Sequence, residues 1–193
     1  MPTSPAFVSS DWGISRNVAI SESPFTGSTQ VHKYSKDQWT ATLTLPPMRR
    51  ELARQWQAFF MNCVGRANTF LLGDPDGKTV TGGAVPLSVT VSADGAIGDT
   101  SVSLTIGSGK KINAGSYLQF GSNANAKLHM VVDDNTGDGA VTIEPPLKAD
   151  ISSSDVVTFI SAKGVFRMDT NALNWTADNL GIYGITFSCS EAL

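Results

Sequence analysis

A single stretch of this chain has the hydrophobic period of an α-helix, and it restricts the possible folds more than any other feature. Its apolar residues recur along one helical stripe, at Met48, Leu52, Ala53, Trp56, Phe59, Phe60 and Cys63. Pro47 suits a first helical turn, and Gly65 suits a C-terminal stop. The pattern predicts one helix over about residues 47–63, with arginine and glutamine on its other side.

The residues on either side of this helix have the patterns of β-strands. The clearest is Gln38–Leu45, where apolar and polar residues alternate until Pro46 and Pro47 end the run. We expect the two distant C-terminal strands to pair with strands that precede residue 72. The predicted strands are 17–21, 29–34, 38–45, 69–72, 164–168 and 183–189.

The middle of the chain consists of short strand patterns separated by Gly, Asp and Asn. Their regular spacing predicts a small antiparallel barrel or sandwich. The predicted strands are 87–91, 101–106, 117–120, 127–132, 140–143 and 156–160.

Composition divides the chain into an outer and an inner part. All six Arg, all four Trp and both Cys lie outside residues 78–163, whereas that segment holds six Lys. Turn-forming residues occur at both of its ends, over 73–77 and 162–164, where a host domain tolerates an insertion. We therefore predict a mainly β protein: a discontinuous sheet domain with one α-helix (1–77 and 164–193), and an inserted β-barrel or sandwich domain (78–163).

The chain carries little charge, which excludes several classes of protein. Only 16% of its 193 residues are charged and the net charge is −3, against about 25% charged in a typical soluble domain. The acidic balance argues against nucleic-acid binding. No apolar run is long enough to span a membrane, and the N-terminus lacks a secretory pattern. Cys63 and Cys189 lack metal-ligand spacing, so we expect both to be buried in a protein made in a reducing cytoplasm.

No candidate for catalysis or metal binding stands out from its structural alternative. Asp133–Gly139 with Glu144 has some features of a calcium loop, but its glycine is misplaced and a hairpin turn is the preferred interpretation. Gly107–Lys111 lacks two positions of a phosphate loop and is interpreted as a turn. His32 and His129 lie in different predicted domains, as ordinary strand residues. We expect no catalytic residue, metal or cofactor.

Four arginines and one tryptophan are the candidate assembly residues. Arg49, Arg50 and Arg54 lie close together on the predicted helix, and Arg66 follows it. They form either a solvated face or a contact surface for an acidic partner subunit, because Arg is enriched in interfaces. Trp12, in a polar context, either packs in the core or anchors an interface.

Three stretches of the outer part carry a resemblance to a known family. They are Gln38–Met48, Ala53–Phe60 and Gly65–Pro75, with weaker support from Ile143–Leu147, Gly181–Phe187 and Glu191–Leu193. In these residues the chain resembles the distal tail protein and related minor tail-tip proteins of long-tailed, siphovirus-type bacteriophages.

The resemblance implies a structural, non-enzymatic protein of the virion, assembled in the host bacterial cytoplasm. It implies a "belt" domain that forms a homo-hexameric ring, joining the tail tube protein to the baseplate hub protein. Family members carry an outward-pointing second β domain, which here is the insertion. The alternative function is a tail-associated receptor- or carbohydrate-binding module. Its weakness is that the insertion's aromatic residues are only Tyr117, Phe120 and Phe159.

Overall fold

A computed structural model describes residues 1–34, 36–80 and 85–193. Residues 81–84 of the predicted insertion lie outside the described residues. The protein is mainly β, with 41% of the chain in strands and 9% helical, which confirms the predicted fold class. The described ranges contain no helix with the length and apolar character that crossing a bilayer requires.

Sixteen strands and one α-helix follow one another along the described chain, and Asn123–Asn125 forms a short 3₁₀ turn. The helix is α1 (Arg50–Cys63). The strands are β1 (Ser9–Ser15), β2 (Val18–Glu22), β3 (Thr29–Lys33), β4 (Gln38–Thr44), β5 (Met48–Arg49), β6 (Thr69–Leu72), β7 (Thr90–Val91), β8 (Ser101–Thr105), β9 (Lys111–Ile112), β10 (Tyr117–Phe120), β11 (Lys127–Val131), β12 (Asn135–Thr136), β13 (Gly139–Glu144), β14 (Gly164–Met168), β15 (Trp175–Ala177) and β16 (Ile182–Glu191).

The outer part forms a seven-stranded antiparallel sheet around the last strand. Its main order is β1-β4-β16-β14-β6, and β5 and β15 also pair with β16. Cys189 of β16 lies opposite Ala41 of β4 and opposite Met168 of β14. The expectation that the C-terminal strands pair with strands before residue 72 is therefore confirmed. Strand β1, which sequence patterns did not predict, forms one edge of this order.

The helix ends where predicted but begins later than predicted. Met48 and Arg49 are extended and pair with Tyr183 and Ile182 of β16, so the first helical residue is Arg50 rather than Pro47. At the other end, the backbone of Val64 turns left-handed, with φ 50°. The stop therefore comes one residue before the predicted glycine.

One face of α1 packs on the sheet as its apolar stripe predicts. Ala53, Trp56, Phe60 and Cys63 are buried in a core with residues of β4, β14 and β16. The ring centroid of Phe60 lies 5.0 Å from that of Phe187, in an edge-on arrangement. Leu52, also placed on the predicted stripe, is instead 36% exposed.

The middle segment forms a second antiparallel sheet around its own hydrophobic core. Its order is β10-β11-β13-β8-β7. Isolated bridges join Thr90 to Val156 and Gln119 to Thr158, so residues 156–158 connect the two edge strands and the sheet curls into a barrel-like shape. The predicted strand over 156–160 exists only as these bridges. The one predicted over 87–91 shortens to Thr90–Val91, and Leu87 is 96% exposed.

The chain enters and leaves this middle segment side by side. A Cβ atom on Gly73 would lie 2.2 Å from the carbonyl oxygen of Ala162, so only glycine allows this approach. The Tyr117 hydroxyl donates to the carboxylate of Asp74 at 3.0 Å. Burial, with help from Asp74, raises the pKa of Tyr117. The two ends of residues 73–162 are thus held together at the outer sheet.

Candidate functional site

Three of the candidate arginines lie together at the N-terminal end of α1. Arg49 is the capping residue, Arg50 begins the helix, and Arg54 follows one turn later on the same side. All three are exposed, and none of the ion pairs found between described residues includes them. Cations are unfavourable at the positive end of the helix dipole. The arrangement therefore costs helix stability instead of adding to it.

Arg66 does not belong to the same surface. It lies beyond the C-terminal end of α1, and a helix of 14 residues is about 21 Å long. The grouping of four arginines suggested by sequence spacing is therefore wrong for Arg66. Arg66 instead shares a shallow depression of about 280 Å³ with Lys36 and Arg167.

Trp12 faces the core, where it joins other aromatic rings. Its ring centroid lies 5.5 Å from that of Phe166, 6.4 Å from Trp39 and 6.5 Å from Tyr117. Trp12 is partly buried, and its indole nitrogen has no hydrogen-bond partner among the described residues. Its contacts are those of core packing, and its role in an interface stays a prediction.

Sequence patterns predicted strands near β2 and β3, but not how exposed those strands are. Within the part of the chain that the structure describes, the two strands pair only with each other, and every residue in them is exposed. Their apolar side chains include Ile20, 69% exposed, and Val31, 61% exposed. At the turn, Phe25 is 95% exposed. An isolated two-stranded hairpin is only marginally stable in water. The apolar side chains that this hairpin exposes to water therefore lower the stability of the folded chain.

Ion pairs hold the base of this hairpin to the middle segment. Arg16, just before β2, pairs with Glu144 of β13 at 3.4 Å, and Lys33 at the end of β3 pairs with the same carboxylate at 3.6 Å. Lys33 also lies 3.7 Å from the buried Asp37. The base is therefore tethered, whereas the tip extends away from the rest of the chain's hydrophobic clusters.

A buried ion pair and a buried hydrogen bond join the middle segment to the outer sheet at a second place. Lys148 pairs with Glu191, whose side chain is fully buried. Glu191 also accepts a hydrogen bond from the Trp39 backbone at 3.3 Å. The Trp39 indole donates to the Leu128 carbonyl at 2.9 Å. Burial lowers the pKa of Lys148, and the Glu191 carboxylate opposes that shift.

The residues considered for metal or phosphate binding have structural partners. Asp138 accepts from the backbone of Gly107 and Ile106, which lowers its pKa. Asp134 accepts from Ala114 at 2.8 Å. The loop connects β11 to β13, as the hairpin interpretation expected, but it also contributes β12, which pairs with β9. Across the described ranges, no three His, Cys, Asp or Glu residues gather as metal ligands would.

The two histidines occupy opposite environments. His32 is exposed on the hairpin, whereas His129 is buried and its Nδ1 lies 2.7 Å from the Pro145 carbonyl. Burial lowers the pKa of His129 to about 4, with smaller contributions from Lys148 and Lys127. The ring is therefore neutral at physiological pH and donates from Nδ1.

Comparison of the chain with models of protein families gives no match, and a search of curated proteins gives no match either. The candidate site therefore stands on its own geometry. It consists of Arg49, Arg50 and Arg54 at the N-terminal end of α1, together with the apolar hairpin β2–β3.

Proposed function

We propose that this protein is a structural component of a bacteriophage tail tip, where it forms a ring that joins the tail tube to the baseplate hub. The observation that carries the proposal is the hairpin β2–β3, which presents apolar side chains and, within the described residues, joins neither of the two larger sheets. Burying that surface against another subunit would offset the cost of exposing it.

The arginines at the start of α1 support the same proposal. Arg49, Arg50 and Arg54 oppose the helix dipole and lack acidic partners among the described residues. An acidic surface on an adjoining subunit would compensate both, because charge complementarity orients protein association.

The two parts of the chain would then have different roles. Residues 1–77 and 164–193, which hold the hairpin and α1, would form the ring. The Arg-free segment 78–163 would lie at its periphery as an inserted domain. The resemblance of residues 38–75 to distal tail proteins implies a homo-hexamer within the virion.

The alternative, a receptor- or carbohydrate-binding module, has less support. Sugar sites need exposed aromatic surfaces, but Tyr117, Phe120 and Phe159 of the middle segment are all at most 8% exposed. They pack in the hydrophobic cores instead.

Electron microscopy of the purified full chain, together with light scattering over a range of concentrations, tests the proposal. We expect closed rings with six-fold symmetry and a mass that is a multiple of the 20.4 kDa protomer. A protein that stays monomeric throughout, also when mixed with a tail tube protein, would contradict the proposal.

A further inference from the structure

The turn at the tip of the hairpin exposes one aromatic ring, that of Phe25. Within the turn, Gly27 donates to the Ser23 carbonyl at 2.9 Å and Ser23 donates to the Ser28 carbonyl at 2.9 Å. These bonds hold Phe25 at the apex, where its side chain is 95% exposed. The base is tethered through Glu144, so the ring is presented on an ordered support.

An apolar groove lies at the C-terminal end of α1 and is open to solvent. It has a volume of about 450 Å³. Met61 and Val64 on the helix side are 65% and 64% exposed. The groove, as named from here on, is lined mainly by apolar side chains, among them Met61, Val64, Met168, Leu173 and Trp175, and its lining also includes Gly65 and two polar residues.

The tip and the groove are separate surface features of the outer part of the chain. The hairpin connects β1 to β4 at one edge of the order β1-β4-β16-β14-β6. The groove lies beside Met168, the last residue of β14. Strand β14 pairs with β6, which is the strand at the other end of that order. Two different surfaces of one subunit that complement each other make a head-to-tail contact, which repeats around a ring when the rotation closes.

Charge complementarity supports a second copy as the occupant, and the area that a stable contact needs sets how far that contact must extend. Glu22 lies at the tip end of β2 and Arg66 follows the groove residue Gly65; both are exposed, and neither belongs to an ion pair between described residues. A buried Phe contributes about 150–250 Å², whereas a stable interface needs about 800 Å² per partner. The contact must therefore also cover Ile20 and Val31 along the hairpin.

We propose that Phe25 of one copy inserts into the groove of the next copy, with Glu22 facing Arg66. This inference rests on the proposed ring function, since it names the contact that would link neighbouring subunits.

Cross-linking between two variants of the full chain, each with one added cysteine, tests this contact. One preparation carries Phe25→Cys and the other carries Met61→Cys, so a disulfide between them can only join different chains. Native Cys63 and Cys189 are buried and do not compete. We expect a disulfide-linked dimer from the mixture, and none when Leu87→Cys, 96% exposed on the middle segment, replaces Phe25→Cys.

Introducing a negative charge at position 25 provides a second test, whose measured quantity is the strength of self-association. Phe25→Asp should weaken self-association by roughly tenfold or more, whereas Leu87→Asp should leave it unchanged. Neither side chain is buried, so circular dichroism should show both variants folded. Rings that persist in Phe25→Asp, with no cross-link to position 61, would overturn this contact while leaving the ring function intact. If Phe25→Asp weakens only the binding of a different protein, this contact is likewise overturned and the ring function stands. A wild-type chain that stays monomeric, also when mixed with a tail tube protein, would overturn both proposals.

Discussion

The ammonium group of Lys148 and the carboxylate of Glu191 form a buried ion pair that joins the middle segment to the last strand of the outer sheet. Removing one partner of a buried pair leaves an uncompensated charge, which costs about 3–5 kcal/mol. We therefore expect Lys148→Met to lower the free energy of unfolding by about 3 kcal/mol in urea titrations.

The pair between exposed Arg16 and partly exposed Glu144 provides a control that is less buried. Arg16→Met should cost less than about 1 kcal/mol. Adding Glu191→Gln to Lys148→Met should restore part of the lost stability, because the unpaired charge is then removed. Equal losses for Lys148→Met and Arg16→Met would contradict the structural importance of the buried pair.

His129 should make the protein sensitive to mild acid. Its pKa in the folded state, about 4, lies below its ordinary value of 6.5, so the unfolded chain binds the proton more tightly between these values. The stability is fully present above about pH 6.5 and falls as the pH drops toward about 4. We expect a loss of about 2 kcal/mol between pH 7 and about pH 5, measured by urea unfolding.

Substitution isolates this contribution from that of the carboxylates. His129→Asn keeps a donor for the Pro145 carbonyl and should remove most of the pH dependence in this range. His32→Asn, on the exposed hairpin, should retain it. A wild-type pH profile in His129→Asn would show that another group is responsible.

Both cysteine thiols should be unreactive in the folded protein. Burial raises the pKa of Cys63, and burial with the nearby Asp169 raises that of Cys189 to about 12. Few thiolates therefore form at neutral pH, and reagent access is blocked. Ellman's reagent should detect no thiol in the native chain and both after denaturation, whereas Phe25→Cys should react at once. Rapid native labelling of wild type would argue against the packing around these residues.

Arg50→Glu should change stability and assembly in opposite directions. A negative charge at the start of α1 is favourable to the helix dipole and should stabilise the monomer by about 0.5 kcal/mol. If this face contacts an acidic subunit surface, the same change should weaken association roughly tenfold. Urea unfolding and sedimentation measure the two effects, with exposed Lys111→Glu of the middle segment as the control. Unchanged association would remove Arg50 from the interface.

Gly73→Ala should destabilise the junction between the two parts. The added Cβ atom would lie 2.2 Å from the Ala162 carbonyl oxygen, so the backbone must shift. We expect a loss of about 1–3 kcal/mol in unfolding experiments. In Gly13→Ala the new atom would lie 3.3 Å from the Thr40 hydroxyl oxygen, and the loss should be smaller. Comparable losses would indicate that residues 73 and 162 separate readily.

Local sequence patterns predicted those helices and strands in which buried side chains recur at regular intervals along one segment. The strand at 38–45 and the end of α1 at Cys63 agree with the structure because alternation and helical stripes are properties of neighbouring residues. The start of α1 could not be predicted in this way. Met48 and Arg49 leave the helix because they pair with β16, more than a hundred residues away.

The candidate site was only partly predictable for the same reason. Sequence spacing placed Arg50 and Arg54 on one helix, as the structure does, whereas Arg49 lies in β5 just before that helix. Sequence spacing could not show that Arg66 lies beyond the opposite end of α1. It also could not show that Trp12 packs on Phe166 and Tyr117. The exposure of Phe25 also lacked a signal, because a strand pattern does not state what the strand packs against.

The sequence by itself determined a mainly β chain with one amphipathic helix and a middle segment of different composition. These follow from the period and type of nearby side chains. Only the tertiary structure decided that β1 forms a sheet edge, that residues 156–158 connect both edges of the second sheet, and that β2 and β3 join no other strand of the described chain. Each of these depends on which distant segments meet, and therefore on contacts that neighbouring residues in sequence do not encode.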